Sequence, residues 1–277
     1  MTNSKIIIIT AIITGKLSEH KGSFSHKKII SYAEQLDSSP MFCDVKTTYN
    51  NTQIVILTDS ATLYSHKLNN TLIVKVETNK NFTETNSYRF ILIEEYLKKH
   101  KNWSYSYMID ASDVVIFKRP LTQPNQFVVG VDNAKKWLGN LMLFQNYTPS
   151  YNLQVMIKSK HKIMYNSGIV GGSRSNVLHF LKYFKTRYYE YPKVYDMIHV
   201  NEYFVNTNKN LTLGYPYGPV HLPFWGTPIG CKDVQCRHKF LRETIGNYWF
   251  GHKIPIQWKK ILENEYFCKN NNKNKNI

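Results

Sequence analysis

Near its start the chain carries eight residues, Ile6-Ile-Ile-Ile-Thr-Ala-Ile-Ile13, that suit little other than the middle of a sheet. Seven of the eight are β-branched. Such side chains are stiff at χ1 and pack well on a pleated surface. The run does not alternate apolar with polar residues, so it has no solvent face and requires cover on both sides. It is too short to span a bilayer. It also lacks the small-residue cleavage pattern that follows the apolar core of a secretory signal.

The segments that follow supply the cover. A strand over Ile6–Thr14 is succeeded by a helical pattern over Ser25–Leu36, with Ile29, Ile30, Ala33 and Leu36 on one face. Strands are expected at Gln53–Thr58, Thr71–Val76, Tyr105–Ile109, Val114–Phe117 and Phe127–Val131. Asn86–His100 reads as a helix that is capped by Asn86 or Ser87, turns Phe90, Ile91, Ile93 and Leu97 inward and ends in basic residues. Further on, Ile169–Gly171 reads as a short strand, and Ser175–Tyr189 and Asp196–Val205 as helices. Residues 133–162 read as loop and helix, and 214–230 as a long ordered loop. The alternation of strand and helix predicts an α/β fold: a single Rossmann-like domain over residues 1–268, with a mostly parallel central sheet flanked by helices. The Asn/Lys-rich stretch 269–277 is expected to be disordered.

Composition narrows the function. The net charge of +17 in 277 residues invites a nucleic-acid reading, but the basic residues are dispersed and no recognition motif or basic aromatic stripe accompanies them. No nucleic-acid partner is therefore expected. A basic surface also suits a phosphorylated small molecule. Four cysteines are too few for a disulfide scaffold. Cys231 and Cys236 with His238 can begin a zinc site, or the two cysteines can be free thiols or one disulfide. With no transmembrane run, the expected location is the cytoplasm. The heavy use of Asn, Lys, Ile and Tyr suggests an AT-rich genome such as that of a giant virus or a protist. For a viral protein the location would be the host cytoplasm or the virion.

Four segments carry possible chemistry. In Tyr107-Met-Ile-Asp110-Ala-Ser-Asp113-Val-Val-Ile-Phe117 an apolar strand stops at two carboxylates three residues apart and then resumes. Side chains at i and i+3 of a tight turn can converge. Two carboxylates that do so repel unless a hard cation such as Mn²⁺ or Mg²⁺ lies between them. The alternative is a turn in which each Asp caps backbone N–H groups. Tyr165-Asn166-Ser167-Gly168 leads into a strand that leaves through Gly171-Gly172, a place for close approach or an ordinary junction. Asp196 opens a helix that also carries Asn201 and Glu202, either as a cap or aimed into a cleft. Finally, His252-Lys253 follows a glycine in an aromatic segment, where imidazole can ligate a metal and lysine can meet a phosphate.

Taken together, and in this order, the segments resemble the GT-A glycosyltransferases, which use nucleotide sugars. Asp110–Asp113 is similar to the Asp-x-x-Asp variant of that family's Asp-x-Asp motif, as in procollagen galactosyl- and glucosyltransferase domains. Asn166-Ser167-Gly168 resembles the Asn-Ser-Gly of the sugar site. Asp196 and Asn201 resemble the Asp-Gln-x-x-x-Asn helix start of glycogenin-like enzymes, with Met197 in place of Gln. The resemblance implies transfer of a sugar from a UDP-sugar to a hydroxyl of a glycan or protein acceptor, with Mn²⁺ (or Mg²⁺) held by Asp110, Asp113 and His252. It implies catalytic roles for Asp196 and, second, Glu202. Donor contacts would come from Thr10, Ala11 and Ile13 near the base, and from Arg89, Asn166, Ser167, Gly168, Asn201 and Lys253. Asp59 would support that pocket or act as a helix cap. Phe224 and Trp225 would be acceptor platforms or core residues.

Overall fold

The computed structural model describes residues 5–14, 26–42, 51–79, 82, 85–131, 164–207, 212–213, 235, 239 and 248–252. The stretches 133–162, 214–230 and 269–277, all four cysteines, Phe224, Trp225 and Lys253 lie outside them. The elements, in chain order, are β1 (Ile6–Ile12), α1 (His26–Asp37), a 3₁₀ turn (Pro40–Phe42), β2 (Thr52–Thr58), α2 (Ala61–Tyr64), β3 (Thr71–Lys75), α3 (Thr85–Lys99), β4 (Tyr105–Ile109), β5 (Val114–Ile116), β6 (Phe127–Val131), β7 (Tyr165–Ser173), α4 (Arg174–Glu190), α5 (Asp196–Thr207), β8 (Thr212–Leu213) and β9 (Phe250–His252).

Seven strands form one sheet in the order β3-β2-β1-β4-β7-β6-β8. β1 pairs in parallel with β2 on one side and β4 on the other, β2 pairs in parallel with β3, and β6 in parallel with β8. Only β7 runs against its neighbours, β4 and β6. The expected α/β architecture is therefore present: a mostly parallel sheet, flanked by helices. The order reverses at β1, where the chain builds outward to β2 and β3 and then returns to the opposite side for β4. In open α/β sheets the crevice at such a reversal, beyond the carboxyl ends of the strands, is where ligands bind.

The β-branched run of β1 divides its side chains between two cores. Ile7 and Ile9 face one layer, where α3, α4 and α5 pack through Phe90, Ile93, Phe180, Phe184, Tyr203 and Phe204. Ile6, Ile8 and Ile12 face the other, with Ile29, Ala33 and Leu36 of α1 and with Trp249 and Phe250. The four isoleucines from Ile6 to Ile9 are at most 2% exposed. Burying each contributes roughly 1.5–3 kcal/mol. The α3 helix is buried for most of its length, and even Arg89 and Glu94 within it are largely covered.

β7 is longer than the short strand expected at Ile169–Gly171, because β6 extends the pairing back to Tyr165 and Asn166, across a register shift at Val129/Gly130. At its far end Gly172 has φ +149°, and a Cβ there would lie 2.1 Å from the Gln126 carbonyl oxygen. The crossing strand thus requires glycine. A second, two-stranded sheet pairs β5 with β9, setting His252 opposite Val114. Among the described residues, no helix is long and apolar enough to cross a membrane.

Candidate metal centre

Two strand pairings assemble the site. β4 ends at Ile109, paired with Ile169 of β7, and the next residue, Asp110, donates its N–H to the Gly168 carbonyl at 2.9 Å. The chain then turns through Ala111–Asp113 and enters β5. Because β5 pairs with β9, His252 is drawn in beside Asp113. Its Nε2 lies 3.4 Å from Asp110 Oδ2 and 3.4 Å from Asp113 Oδ2. One ligand atom from each of the three residues falls within 4.8 Å of the others, so the cluster can hold a metal ion. Donor atoms around a divalent cation bound at about 2.1 Å sit roughly 3 Å or slightly more apart, close to the 3.4 Å that separates His252 Nε2 from each carboxylate. The His252 side chain is fully buried, while those of Asp110 and Asp113 are 24% and 35% exposed. The site therefore has a fixed floor and an open mouth.

Gly168 is the wall that makes room for the imidazole. A Cβ at this position would stand 2.3 Å from His252 Cε1 and 2.6 Å from Nε2. Asn166 Oδ1 shapes the same turn by accepting the Gly168 N–H at 2.7 Å. Asn166 and Ser167 are both buried.

Arg89 joins this cluster to a third carboxylate. Its Nη1 pairs with Asp110 Oδ1, and its Nη2 pairs with Asp196 Oδ2 at 2.9 Å and donates to the Ser167 carbonyl at 3.0 Å. The other oxygen of Asp196 accepts the Met197 N–H at 2.7 Å. Asp196 is thus aimed into the site from the first turn of α5. Arg89 thus bridges the carboxylates of Asp110 and Asp196, while Asp113 meets the cluster through His252.

Other expected site residues have different positions. Glu202 is buried and gives both carboxylate oxygens to Arg187, at 2.8 Å to Nη2 and 3.1 Å to Nε. This ion pair ties α5 to α4, and it is where the structure places Glu202, expected as a second catalytic carboxylate. Asn201 is also a fastener. Its Oδ1 accepts the Tyr165 N–H at 2.8 Å, and its Nδ2 donates to the carbonyls of Tyr165 (2.9 Å) and Met197 (2.7 Å). Its amide, expected to contact a donor molecule, fastens β7 to α5. Asp59 does not cap α2, because Ser60 does so, accepting the Leu63 N–H at 3.2 Å. Instead, Asp59 Oδ1 accepts both the N–H and the hydroxyl of Thr14, at 2.7 and 2.9 Å, and so holds the chain leaving β1. Thr10 and Ile13 are buried in or beside β1, and Ala11, half-buried, packs on the α3 side.

His199 and Arg187 did not stand out in the sequence. His199, one turn beyond Asp196, is fully buried against Phe184. Burial, reinforced by the Arg187 charge, lowers its pKa to about 4, with Asp196 and the Tyr191 backbone acting in the opposite sense. Arg187 could have been sought as the partner that any buried glutamate requires.

Fold and site together define an α/β protein with an Asp–Asp–His cluster, able to hold a metal ion, at the carboxyl end of β4. No protein-family model matches the chain, and no curated protein matches it either.

Proposed function

We propose that the protein is a metal-dependent glycosyltransferase that moves a sugar from a nucleotide-diphosphate donor, a UDP-sugar, to a hydroxyl of a glycan or protein acceptor. One observation carries the reading: Asp110, Asp113 and His252 converge within 4.8 Å at the mouth of the sheet crevice, next to Arg89 and Asp196. Mn²⁺, or Mg²⁺, would be held by these three residues. When bound, the ion neutralises charge that develops on the departing diphosphate. Mn²⁺ is favoured because the set mixes hard carboxylates with one imidazole.

The chain's own groups do the rest. Arg89 holds Asp110 and Asp196 in fixed orientations, so neither must reorganise when substrate arrives. Asp196, with one oxygen on Arg89 and one on the Met197 N–H, retains lone pairs that can accept a hydrogen bond from a sugar hydroxyl. Gly168 leaves the space in which His252 stands, and Asn166 fixes that turn. Asp59 braces the end of β1, where the nucleotide base would lie.

Incubation with Mn²⁺ and a panel of UDP-, GDP- and TDP-sugars should release nucleoside diphosphate, UDP above the others. Asp113→Asn, at a partly exposed position, should lower release by about 100-fold or more while circular dichroism stays unchanged. Release that persists in EDTA and in Asp113→Asn would refute the assignment.

A further inference from the structure

The arginine between the two halves of the site does more than neutralise charge. Arg89 is only 9% exposed and sits on α3, a helix that also packs in the main core. Its fork is divided: one nitrogen pairs with Asp110 and the other with Asp196 and the Ser167 carbonyl. The carboxylate oxygen of Asp110 that faces His252, Oδ2, is not the one that faces Arg89, Oδ1. Asp110 therefore serves two cations through separate oxygens, and how strongly Arg89 draws on it bears on how much charge it can offer a metal. Asp196 competes for the same guanidinium from the opposite side. If the Asp196 charge is removed or engaged elsewhere, Arg89 keeps the Ser167 carbonyl and draws more strongly on the Asp110 carboxylate.

We propose that Arg89 is a coupling residue through which the state of Asp196 sets the affinity of the Asp110–Asp113–His252 site for its cation. The inference rests on the metal site of the proposed function. Asp196 meets Arg89 through Oδ2, and in this scheme it acts on the three ligand residues through the arginine fork. Linkage makes the effect reciprocal: a group that engages Asp196 weakens cation binding, and a bound cation strengthens the hold of Arg89 on Asp196. Lysine cannot reproduce this link, because a single ammonium lacks the planar fork that reaches two carboxylates and a carbonyl.

The test is a titration of the full chain with Mn²⁺ alone, with bound metal read by electron paramagnetic resonance and no substrate present. Asp196→Asn should weaken Mn²⁺ binding about fivefold or more. Asp196→Glu, which keeps a charge opposite Arg89, should restore binding to within about twofold. In an Arg89→Lys background, Asp196→Asn should change binding by less than about twofold, since the bridge is already cut. Thermal melts verify that each variant is folded, and the Asp196→Glu comparison stands if Asp196→Asn does not fold. An equal effect of Asp196→Asn in both backgrounds, or none in the unaltered background, overturns the coupling while leaving the metal site intact. If the unaltered protein does not bind Mn²⁺, the metal site itself is wrong, and the coupling falls with it.

Discussion

Gly168→Ala is a one-carbon change that should cripple the metal site without touching a ligand. The added Cβ would lie 2.3 Å from His252 Cε1, whereas ordinary contact begins at 3.4 Å, so the two must part by at least 3.4 − 2.3 = 1.1 Å. The imidazole is fully buried and β9 is paired along its length with β5, so it cannot swing into solvent. Gly168 does not have a left-handed φ, so alanine adds no dihedral strain and the effect is purely steric. Overpacking of this kind costs about 1–3 kcal/mol. In a chain of this size that lowers the melting temperature by roughly 2–4 °C per kcal/mol. A displaced second-layer support typically weakens metal binding by about 10–100-fold, and that is the loss expected for Mn²⁺. The assay is a Mn²⁺ titration followed by resonance or calorimetry, with a thermal melt in parallel. In a His252→Ala background most of the destabilisation by Gly168→Ala should disappear. A folded Gly168→Ala protein that binds Mn²⁺ as tightly as the unaltered chain would refute the cradle argument.

Two other perturbations separate structural from chemical roles. Glu202→Gln should destabilise by about 1–3 kcal/mol in urea unfolding, because the largely buried Arg187 loses a carboxylate held by two nitrogens and falls back on Glu190. The folded variant should still bind Mn²⁺ within about twofold of the unaltered protein, and a collapse of Mn²⁺ binding would return Glu202 to the site. His199 is neutral in the native state down to about pH 4, while the unfolded chain protonates it from 6.5 downward. Over that window the unfolded state binds the extra proton, so stability falls as pH falls, by about 3 kcal/mol in all. Denaturation midpoints at pH 7, 5.5 and 4 should show this slope, and His199→Leu should flatten it. An unchanged slope in that variant would show that other groups carry it.

Much of the architecture is written locally. The β-branched density of residues 6–13 demanded a strand covered on both faces, and β1 lies between two cores. The helix expected at Asn86–His100 is present at Thr85–Lys99, since propensity, apolar spacing and basic end residues all act within a few turns. The sequence also placed Asp110 and Asp113 at the end of an apolar strand, which is a local fact. It left open whether they cap a turn or meet a cation. The β5–β9 pairing brings His252, which the resemblance had named as third ligand, to within 3.4 Å of both carboxylates, in a cluster that can hold a metal ion. Pairing between segments so distant in the chain has no local signature, because its stability comes from hydrogen bonds and packing that exist only once both strands are in place. The same holds for the polar residues of α5. Asp196, Asn201 and Glu202 are close in sequence, though helical spacing does not put them all on one face. Helical geometry and the neighbours on each side sent Asp196 to Arg89, Asn201 to the backbone of β7 and Glu202 to Arg187. Sequence alone determined which residues had to be buried and which carried charge at a strand end. Tertiary structure decided which charges meet, because a carboxylate's role is set by the partner that reaches it through space.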